Sequence, residues 1–432
     1  MRPAAFIGIW ALCGVLAPVM GWAKKAPPKP LPVKLTAEIA NRFNWDFKKD
    51  DPWEDTSQTT LDMTAQLKYL PNPVVQVVVG EWIVDGKIRP YNNYLNLAFN
   101  HVNLRLGNQI VRWGKADEIS PLDVVNPEDL TRGFTRPRAD RKIPTPIANM
   151  EFLTDVVSLQ GIYIPFFESS EFHYTDNDWA LFGHLDKTAP TFSVSEEIPA
   201  QTLRDAGYGG RLTAAIGRVD VAFVYLNHRR NLPSMKPYPF SIPGDPNKKS
   251  TPGDLVAVST TTGAMPAFHY LREELYGLEF ETTVGSVGLR GDASYVSSQS
   301  FITATLQEQR RPVITGVLGF DYNGPNNFYI NCSASHAQIQ DYDESLAPND
   351  ESTSSMSGNL SWELLSGNIK LSYLGIFNLT DKSFFHNPKV NLNFIPNVGL
   401  EAGVDIYGGP PSTQIGFYDG NDQGYLSLSY FF

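Results

Sequence analysis

Residues 398–406 read VGLEAGVDI, with an apolar side chain at every even-numbered position and glycine or a carboxylate at every odd-numbered one. Side chains of a β-strand point alternately to its two faces, so this pattern predicts a strand with one apolar and one polar face. The same period of two recurs over residues 33–43, 61–69, 208–216, 287–295 and 356–364. Runs of about ten residues match a tilted strand that crosses a bilayer.

The connections between these runs alternate in length. The short connections cover residues 71–73, 107–108, 154–155, 217–218, 285–286, 323–326, 366–367 and 396–397. The long connections cover residues 46–60, 85–92, 115–146, 166–206, 230–272, 298–311, 339–355, 379–388 and 408–422. Short turns on one rim and long loops on the other are typical of an outer-membrane barrel.

We therefore predict an all-β fold, a transmembrane antiparallel β-barrel of about eighteen strands over residues 33–432, with short periplasmic turns and long extracellular loops. The alternative is a soluble β-sandwich, whose apolar faces would meet in a core instead of lipid. Aromatic residues near strand ends are expected in the interfacial girdles of the barrel. These aromatic residues are Trp45, Tyr69, Trp82, Trp113, Trp362, Tyr373, Tyr407 and Tyr430.

The composition excludes several other classes of protein. The chain has 432 residues, 42% of them hydrophobic, a net charge of −11 and a mean hydropathy of −0.23. Beyond residue 23 no apolar run reaches the roughly 18–20 residues of a transmembrane helix, which excludes a helical membrane protein. An excess of acids, 46 against 35 bases, argues against a nucleic-acid partner.

The two ends of the chain indicate export to an outer membrane. Residues 1–23 have the charged start, apolar core and small-residue cleavage site of a secretory signal peptide, and residues 24–32 form a Pro-rich periplasmic lead-in. Only Cys332 would remain after cleavage, so the exported chain would have no disulfide. The last strand ends in Phe432 and looks like the targeting strand of outer-membrane proteins. We predict the outer membrane of a Gram-negative bacterium, with its lipids and the barrel-assembly machinery as partners.

The long connection 115–146 is the richest in charge and is punctuated by apolar residues such as Leu122 and Val125. A loop this long in a compact protein is usually functional or disordered, and the apolar residues favour order. We expect it to fold inward and narrow the pore. The predicted pore residues are Arg112, Trp113, Asp117, Glu118, Asp123, Asp129, Arg132, Arg136, Arg138 and Arg141. The arginines would favour anionic groups; the alternative is that they pair with the acids of the loop and only pin it.

This region also carries a resemblance. The block Val111-Arg112-Trp113-Gly114, followed by residues 123–127 (DVVNP) and Asp129, resembles a family of proteobacterial outer-membrane barrels named as a domain of unknown function. The wider superfamily includes the alginate-export barrel and substrate-specific monomeric porins. The resemblance implies an outer-membrane transport channel and brings no substrate and no catalytic residues. Lys115-Ala116-Asp117 after the Trp-Gly departs from the family pattern.

We therefore interpret the protein as a porin-like channel for small or chain-like solutes, with no metal and no cofactor. One alternative is a plugged export barrel for a hydrophobic or polymeric substrate, opened by a periplasmic transport partner. A surface adhesin and a barrel enzyme are further alternatives. For an enzyme, the best serine–histidine set in the sequence is His101 together with Ser333 or Ser335 beside His336.

Overall fold

The structure is a computed structural model that describes residues 33–47, 58–84, 87–133, 135–183, 191–238, 252–346 and 349–432. The predicted signal peptide and Pro-rich lead-in, residues 1–32, lie outside the described residues. Within the described ranges, no helix has the length and apolar character of a membrane span.

Most of the described chain is β-strand. The strands are β1 (Val33–Asp46), β2 (Gln58–Tyr69), β3 (Val75–Val84), β4 (Lys87–Pro90), β5 (Asn93–Ala98), β6 (Val102–Gln109), β7 (Thr145–Leu153), β8 (Val157–Ile164), β9 (Ser195–Glu197), β10 (Gly207–Ile216), β11 (Val219–Arg229), β12 (Ser234–Met235), β13 (Ala267–His269), β14 (Arg272–Val284), β15 (Val287–Ile302), β16 (Glu308–Asn323), β17 (Phe328–Ile339), β18 (Ser352–Leu364), β19 (Ile369–Asn378), β20 (Phe384–Ile395), β21 (Val398–Gly408) and β22 (Gln423–Phe431). The helices are α1 (Arg138–Arg141) and α2 (Pro252–Thr262), with short 3-10 turns at Leu203–Asp205, Pro325–Asn327, Glu344–Leu346, Leu365–Gly367 and Gly416–Asn421.

The main sheet closes on itself. Its nineteen strands pair antiparallel with their neighbours, and β1 pairs with β2 on one side and with the last strand, β22, on the other. Strands β4 and β5 pair with successive parts of β3 and together make one interrupted crossing, so the barrel has eighteen strands. Lipid offers no partner to a backbone amide, so a sheet in a bilayer must have no edge. The fold predicted from the sequence is confirmed.

Several predicted connections are wrong in detail. The long loop predicted at 85–92 is wrong for its described part, residues 87–92, because β4 forms most of it. Asn93 bridges the interruption between β4 and β5: its side chain accepts a hydrogen bond from the Gly80 amide at 2.8 Å and donates one to the Gly80 carbonyl at 2.9 Å. Residues 107–108 lie inside β6, and the turn lies at 99–101. The loops predicted at 298–311 and 379–388 shrink to 303–307 and 379–383, because the flanking strands continue past the apolar zone.

The two faces of the wall differ as the alternation predicts. Large apolar side chains point outward and are exposed, among them Phe223 at 63% and Leu318 at 66%, while Asn331 and Ser333 face inward and are buried. Trp362 and Tyr430 are exposed near the short-turn rim, as expected of a girdle. The girdle prediction is wrong for Trp82, Trp113 and Tyr407, which are buried on the inner side. A closed barrel with an apolar exterior is the architecture of Gram-negative outer-membrane proteins.

Adjacent residues on β18 test this assignment of faces. Met356 is exposed on the outer face, whereas Ser355 points into the lumen. We expect Met356→Arg to lower the free energy of unfolding by about 2–4 kcal/mol, because it places a charge in lipid. The matched Ser355→Arg change should cost clearly less. Equilibrium urea unfolding in lipid vesicles measures both, and equal costs would show that the assignment is wrong.

Candidate pore and its inner loop

The segment between β6 and β7, residues 110–144, is here called the inner loop, and its described residues, 110–133 and 135–144, lie inside the barrel. Its apolar side chains form a core with residues that point inward from the wall. The loop contributes Val111, Trp113, Leu122 and Val125, and the wall contributes Ile147, Ile162, Ile164, Val224, Leu226 and Leu275. Burial of these side chains between loop and wall favours the packed position by the hydrophobic effect.

Two glycines on the wall make room for the largest side chains of the loop. A Cβ at Gly209 would lie 2.9 Å from the Trp113 ring, and one at Gly277 would lie 2.5 Å from a Leu122 methyl group. Trp113 also donates a hydrogen bond from its indole nitrogen to Gln160 on β8 at 2.8 Å. The indole is thereby packed and satisfied in a buried site. Trp113 therefore fixes the start of the loop and does not line an open pore.

Two buried carboxylates of the wall hold the loop backbone. Glu279 on β14 accepts a hydrogen bond from the Gly114 amide at 2.9 Å. Asp292 on β15 accepts hydrogen bonds from the amides of Lys115 and Ala116, at 2.8 and 2.9 Å. Gly114 has a φ of +91°, a conformation that favours glycine and turns these amides toward the wall.

The same carboxylates have further partners. Asp292 also accepts a hydrogen bond from the Ser120 hydroxyl at 2.7 Å. Glu279 forms an ion pair with Arg211, whose guanidinium lies 2.6 Å from the carboxylate. Bonds from amides and hydroxyls to an ionised carboxylate are among the stronger hydrogen bonds, so these two residues form the main polar attachment of the loop.

Asn126 closes the base of the loop. Its side-chain oxygen accepts a hydrogen bond from the Val111 amide at 2.7 Å, and its side-chain amide donates to the carbonyls of Gln109 and Ile143, both at 3.0 Å. Asn126 is buried. It thus joins the outgoing and returning ends of the loop where they leave and re-enter the wall.

A buried cluster of charges centres on Glu128. Its carboxylate lies 2.9 Å from Arg138, 3.4 Å from Arg141 and 3.1 Å from Lys142, whose side chain is fully buried. Burial acts to raise the pKa of Glu128, but these three cations outweigh it and lower the pKa to about 2. Asp123 adds a second carboxylate at 3.3 Å from Lys142. Buried charges of this kind need such partners.

The remaining predicted residues also have partners. Asp129 accepts a charge-assisted hydrogen bond from Arg136 at 3.0 Å, Glu118 accepts one from the Arg138 amide at 3.1 Å, and Asp117 lies 3.6 Å from Arg290 on the wall.

Arg112 is exposed and donates to the Ala139 carbonyl at 2.7 Å. The structure therefore favours internal pairing for Arg136, Arg138 and Arg141. Whether the arginines also set selectivity stays a prediction.

A cavity of about 260 Å³ separates the inner loop from the opposite wall, formed by β1 and β20–β22, and is here called the passage. Its cationic side chains are Arg132 and Arg136 from the loop and Arg42 and Lys389 from the wall. Its acidic side chains are Glu38, Asp140 and Glu401. The passage therefore has one more basic than acidic side chain, although the chain as a whole carries −11.

The predicted pore set divides between three spaces. Arg132 and Arg136 border the passage, whereas Arg138 and Arg141 border a cavity of about 410 Å³ on the other side of the loop. Arg112, Trp113, Asp117, Glu118 and Asp123 border a small cavity of about 110 Å³, and Glu118 and Asp123 border the 410 Å³ cavity as well. Asp129 borders none of these three cavities.

The sequence prediction missed Arg42 and Lys389 of the passage and the attachment residues Glu279 and Asp292. Alternation assigns Arg42, Glu279 and Asp292 to the lumen but does not show that they meet the loop or the passage, and Lys389 follows directly after the connection predicted at 379–388. It also left Glu128 and Lys142 out of the pore set, although both lie within the loop sequence.

The serine–histidine set proposed for an enzyme does not assemble. On β17, Ser333 is buried on the lumen side, whereas His336 is exposed on the outer face and contacts Ser354 at 2.9 Å. Odd and even positions of one strand face opposite sides, so Ser333 and Ser335 point away from His336. His101 lies in a turn on the short-turn rim.

Comparison with known proteins adds a family. The family described as "Protein of unknown function (DUF1302)" matches residues 89–371, more than half of the chain. No curated protein matches the sequence.

Three solved structures illustrate the similarity of architecture. OmpF of Salmonella typhi, solved in a complex with daunomycin, is 11% identical, with 93% of this chain and 97% of that chain covered and a TM-score of 0.46. The outer membrane channel DcaP of Acinetobacter baumannii is 10% identical, with 93% and 97% covered and a TM-score of 0.42. OmpT, an outer membrane protein of Vibrio cholerae, is 10% identical, with 95% and 100% covered and a TM-score of 0.41.

The attachment at Asp292 can be tested with a variant of the same shape. Asp292→Asn keeps the size of the side chain but removes its charge. It also puts an NH2 group in the place of one carboxylate oxygen that accepts hydrogen bonds from the loop. Losing these bonds should cost about 1–3 kcal/mol locally, so amide exchange over residues 114–120 should quicken about fivefold or more. Hydrogen exchange with mass spectrometry measures it. Glu363→Gln, a carboxylate of the wall with no contact to the loop, is the control; unchanged exchange in Asp292→Asn would contradict the attachment.

The low pKa of Glu128 predicts a pH dependence. A lowered pKa contributes stability that is present above the unfolded value of 4.5 and is lost as the pH falls through about 2. Native protein should therefore be more stable than Glu128→Gln by on the order of 3 kcal/mol above pH 4.5. This difference should shrink as the pH falls below 4.5 and be mostly lost at about pH 2, where native Glu128 is half protonated. Urea unfolding at several pH values measures it, and a constant difference across this range would contradict the prediction.

Proposed function

This chain belongs to the DUF1302 family, and we propose that it works as an outer-membrane channel that passes anionic solutes between the inner loop and the opposite barrel wall. The observation that supports this most is the passage itself. A fixed loop narrows the lumen to one side, and four cations line what remains. In a narrow space with low-dielectric walls, each charge acts more strongly on a solute than it would in bulk water.

The pairing of the cations does not remove this preference. Arg42 pairs with Asp405 at 2.9 Å, and Lys389 with Glu401 at 3.2 Å. Arg136 pairs with Asp129 on the loop side. Asp405 and Asp129 do not border the passage, so Arg42 and Arg136 stand between them and a solute. An anion in the passage would meet these two guanidinium groups before it meets those two carboxylates, whereas Glu401, the partner of Lys389, lines the passage itself.

The wall opposite the loop suits small or chain-like polar solutes. On β22, Tyr425, Ser427 and Ser429 point into the passage at successive inward positions. Hydroxyl groups at every second residue form a row along the direction of transport and can replace hydration of a solute by hydrogen bonds. Lipids of the outer membrane would cover the opposite face of the same strand, where Leu426 and Leu428 are exposed.

The alternative is a plugged export barrel opened by a periplasmic partner, with the inner loop as the part that moves. The attachment through Glu279 and Asp292, together with the packed Trp113, favours a resident loop over a movable plug. Conductance in planar bilayers separates the two functions. A resident loop gives steady ohmic current without a partner, whereas a plug gives none.

Anion preference can be tested by removing charge from the passage. The double change Arg132→Ser with Arg136→Ser should lower the anion-to-cation permeability ratio, because only two cations, Arg42 and Lys389, would remain against three acids. Reversal potentials in a salt gradient measure the ratio. The control is Arg310→Ser with Arg311→Ser, which removes the same charge from the loop-rich rim outside the passage. Equal effects of the two double changes would contradict the proposal.

A further inference from the structure

A fourth cavity, larger than the three described above, lies at the loop-rich end of the barrel, above the inner loop. It has a volume of about 460 Å³, within the range of small-molecule sites. Aromatic and aliphatic side chains dominate its walls, among them Trp179, Leu232, Met235, Phe268 and Phe417. Such a surface offers an apolar solute a favourable transfer from water. The cavity is here called the vestibule.

Among the described residues that line the vestibule, Arg230 carries the full positive charge, and none of them is a carboxylate. Arg230 is half-buried, and the described part of the chain places no carboxylate within 4.0 Å of its guanidinium. Arg230 also borders the neighbouring cavity of about 410 Å³, where Glu273 interacts with it electrostatically from a longer distance. An arginine with no close ion pair beside an apolar surface favours a carboxylate ligand.

Trp179 borders both the vestibule and the passage below it. The floor of the vestibule is the inner loop itself, at Leu130 and Gly133. Gly133 has a φ of +57° and lies directly against the Trp179 ring, where a Cβ would collide. Tyr407 and Tyr418 also pack against this ring, with centroids at 5.5 and 5.6 Å. The Trp179 ring is therefore a wall that the vestibule and the passage share.

We propose that the vestibule is a capture site for amphipathic monocarboxylates, which have an apolar ring or chain and one carboxylate. The apolar part packs against the aromatic walls, and the carboxylate binds Arg230. This inference rests on the proposed channel function and names the class of anion that the channel takes. Apolar walls with a single cation select against inorganic anions, which gain nothing from the walls, and against neutral apolar molecules, which leave Arg230 without a partner.

Two probes of the same shape test the role of the carboxylate. The native protein in lipid nanodiscs is titrated calorimetrically with 2-naphthoate and with the neutral 2-naphthamide, and binding to empty nanodiscs is subtracted. We expect the carboxylate to bind about tenfold more tightly or better, since a hydrogen bond to a charged group contributes about that much. Arg230→Gln should abolish this preference and leave the affinity for the amide within about twofold.

Two further variants keep the test decisive. Arg230→Lys keeps the charge and should retain part of the preference. Arg204→Gln removes an exposed arginine of the same extracellular side that does not line the vestibule, and it should change neither affinity. Equal affinity of the native protein for the two probes would overturn the inference, as would a preference that survives Arg230→Gln. Conductance of the same purified protein in planar bilayers separates the two proposals: a conducting channel without naphthoate preference overturns only the capture site, and an absent conductance overturns the channel.

Discussion

Every other feature of this protein depends on the closure of its hydrogen-bond ladder. A strand in lipid has no water for its amides, so the first and last strands must pair, as β1 and β22 do from Glu38 opposite Phe431 to Asp46 opposite Gln423. A barrel whose neighbouring strands are all antiparallel can close only with an even number of strands. The first strand then begins on the same rim on which the last strand ends. The long segments then share the other rim. The wall also encloses a space, and the chain has to fill it or leave it to water.

The inner loop fills that space on one side only. Its attachment combines apolar packing of Trp113 and Leu122 with buried charge held in pairs, Glu279 with Arg211 and Glu128 with its three cations. Neither part would suffice alone, since carboxylates in a lumen also bind water and apolar side chains do not fix the direction of a backbone. Together they hold the loop against the wall strands β7, β8, β10, β11, β14 and β15 and leave the passage along β1 and β20–β22. The position of the attachment therefore decides where solutes can pass.

The sequence predicts the strands best where one face meets lipid. Alternation identifies such strands because lipid requires an apolar residue at every second position. It fails for β4, whose short Lys-Ile-Arg-Pro sequence has no such face, and for the outer ends of β15 and β16, which extend past the apolar zone where both faces meet water. The site is harder. The charged inner loop is visible in the sequence, but Asp292 contacts residues more than 170 positions away, and nothing local links them.

The position of the inner loop is the central claim, and a disulfide tests it most directly. In a Cys332→Ser background, Leu122→Cys with Gly277→Cys places two thiols where the Leu122 side chain now meets the space of an absent Cβ. This pair should crosslink under mild oxidation in intact vesicles, with a mobility shift on a non-reducing gel. Leu122→Cys with Ser427→Cys on the opposite wall should not. Efficient crosslinking to residue 427, or none to residue 277, would contradict the account.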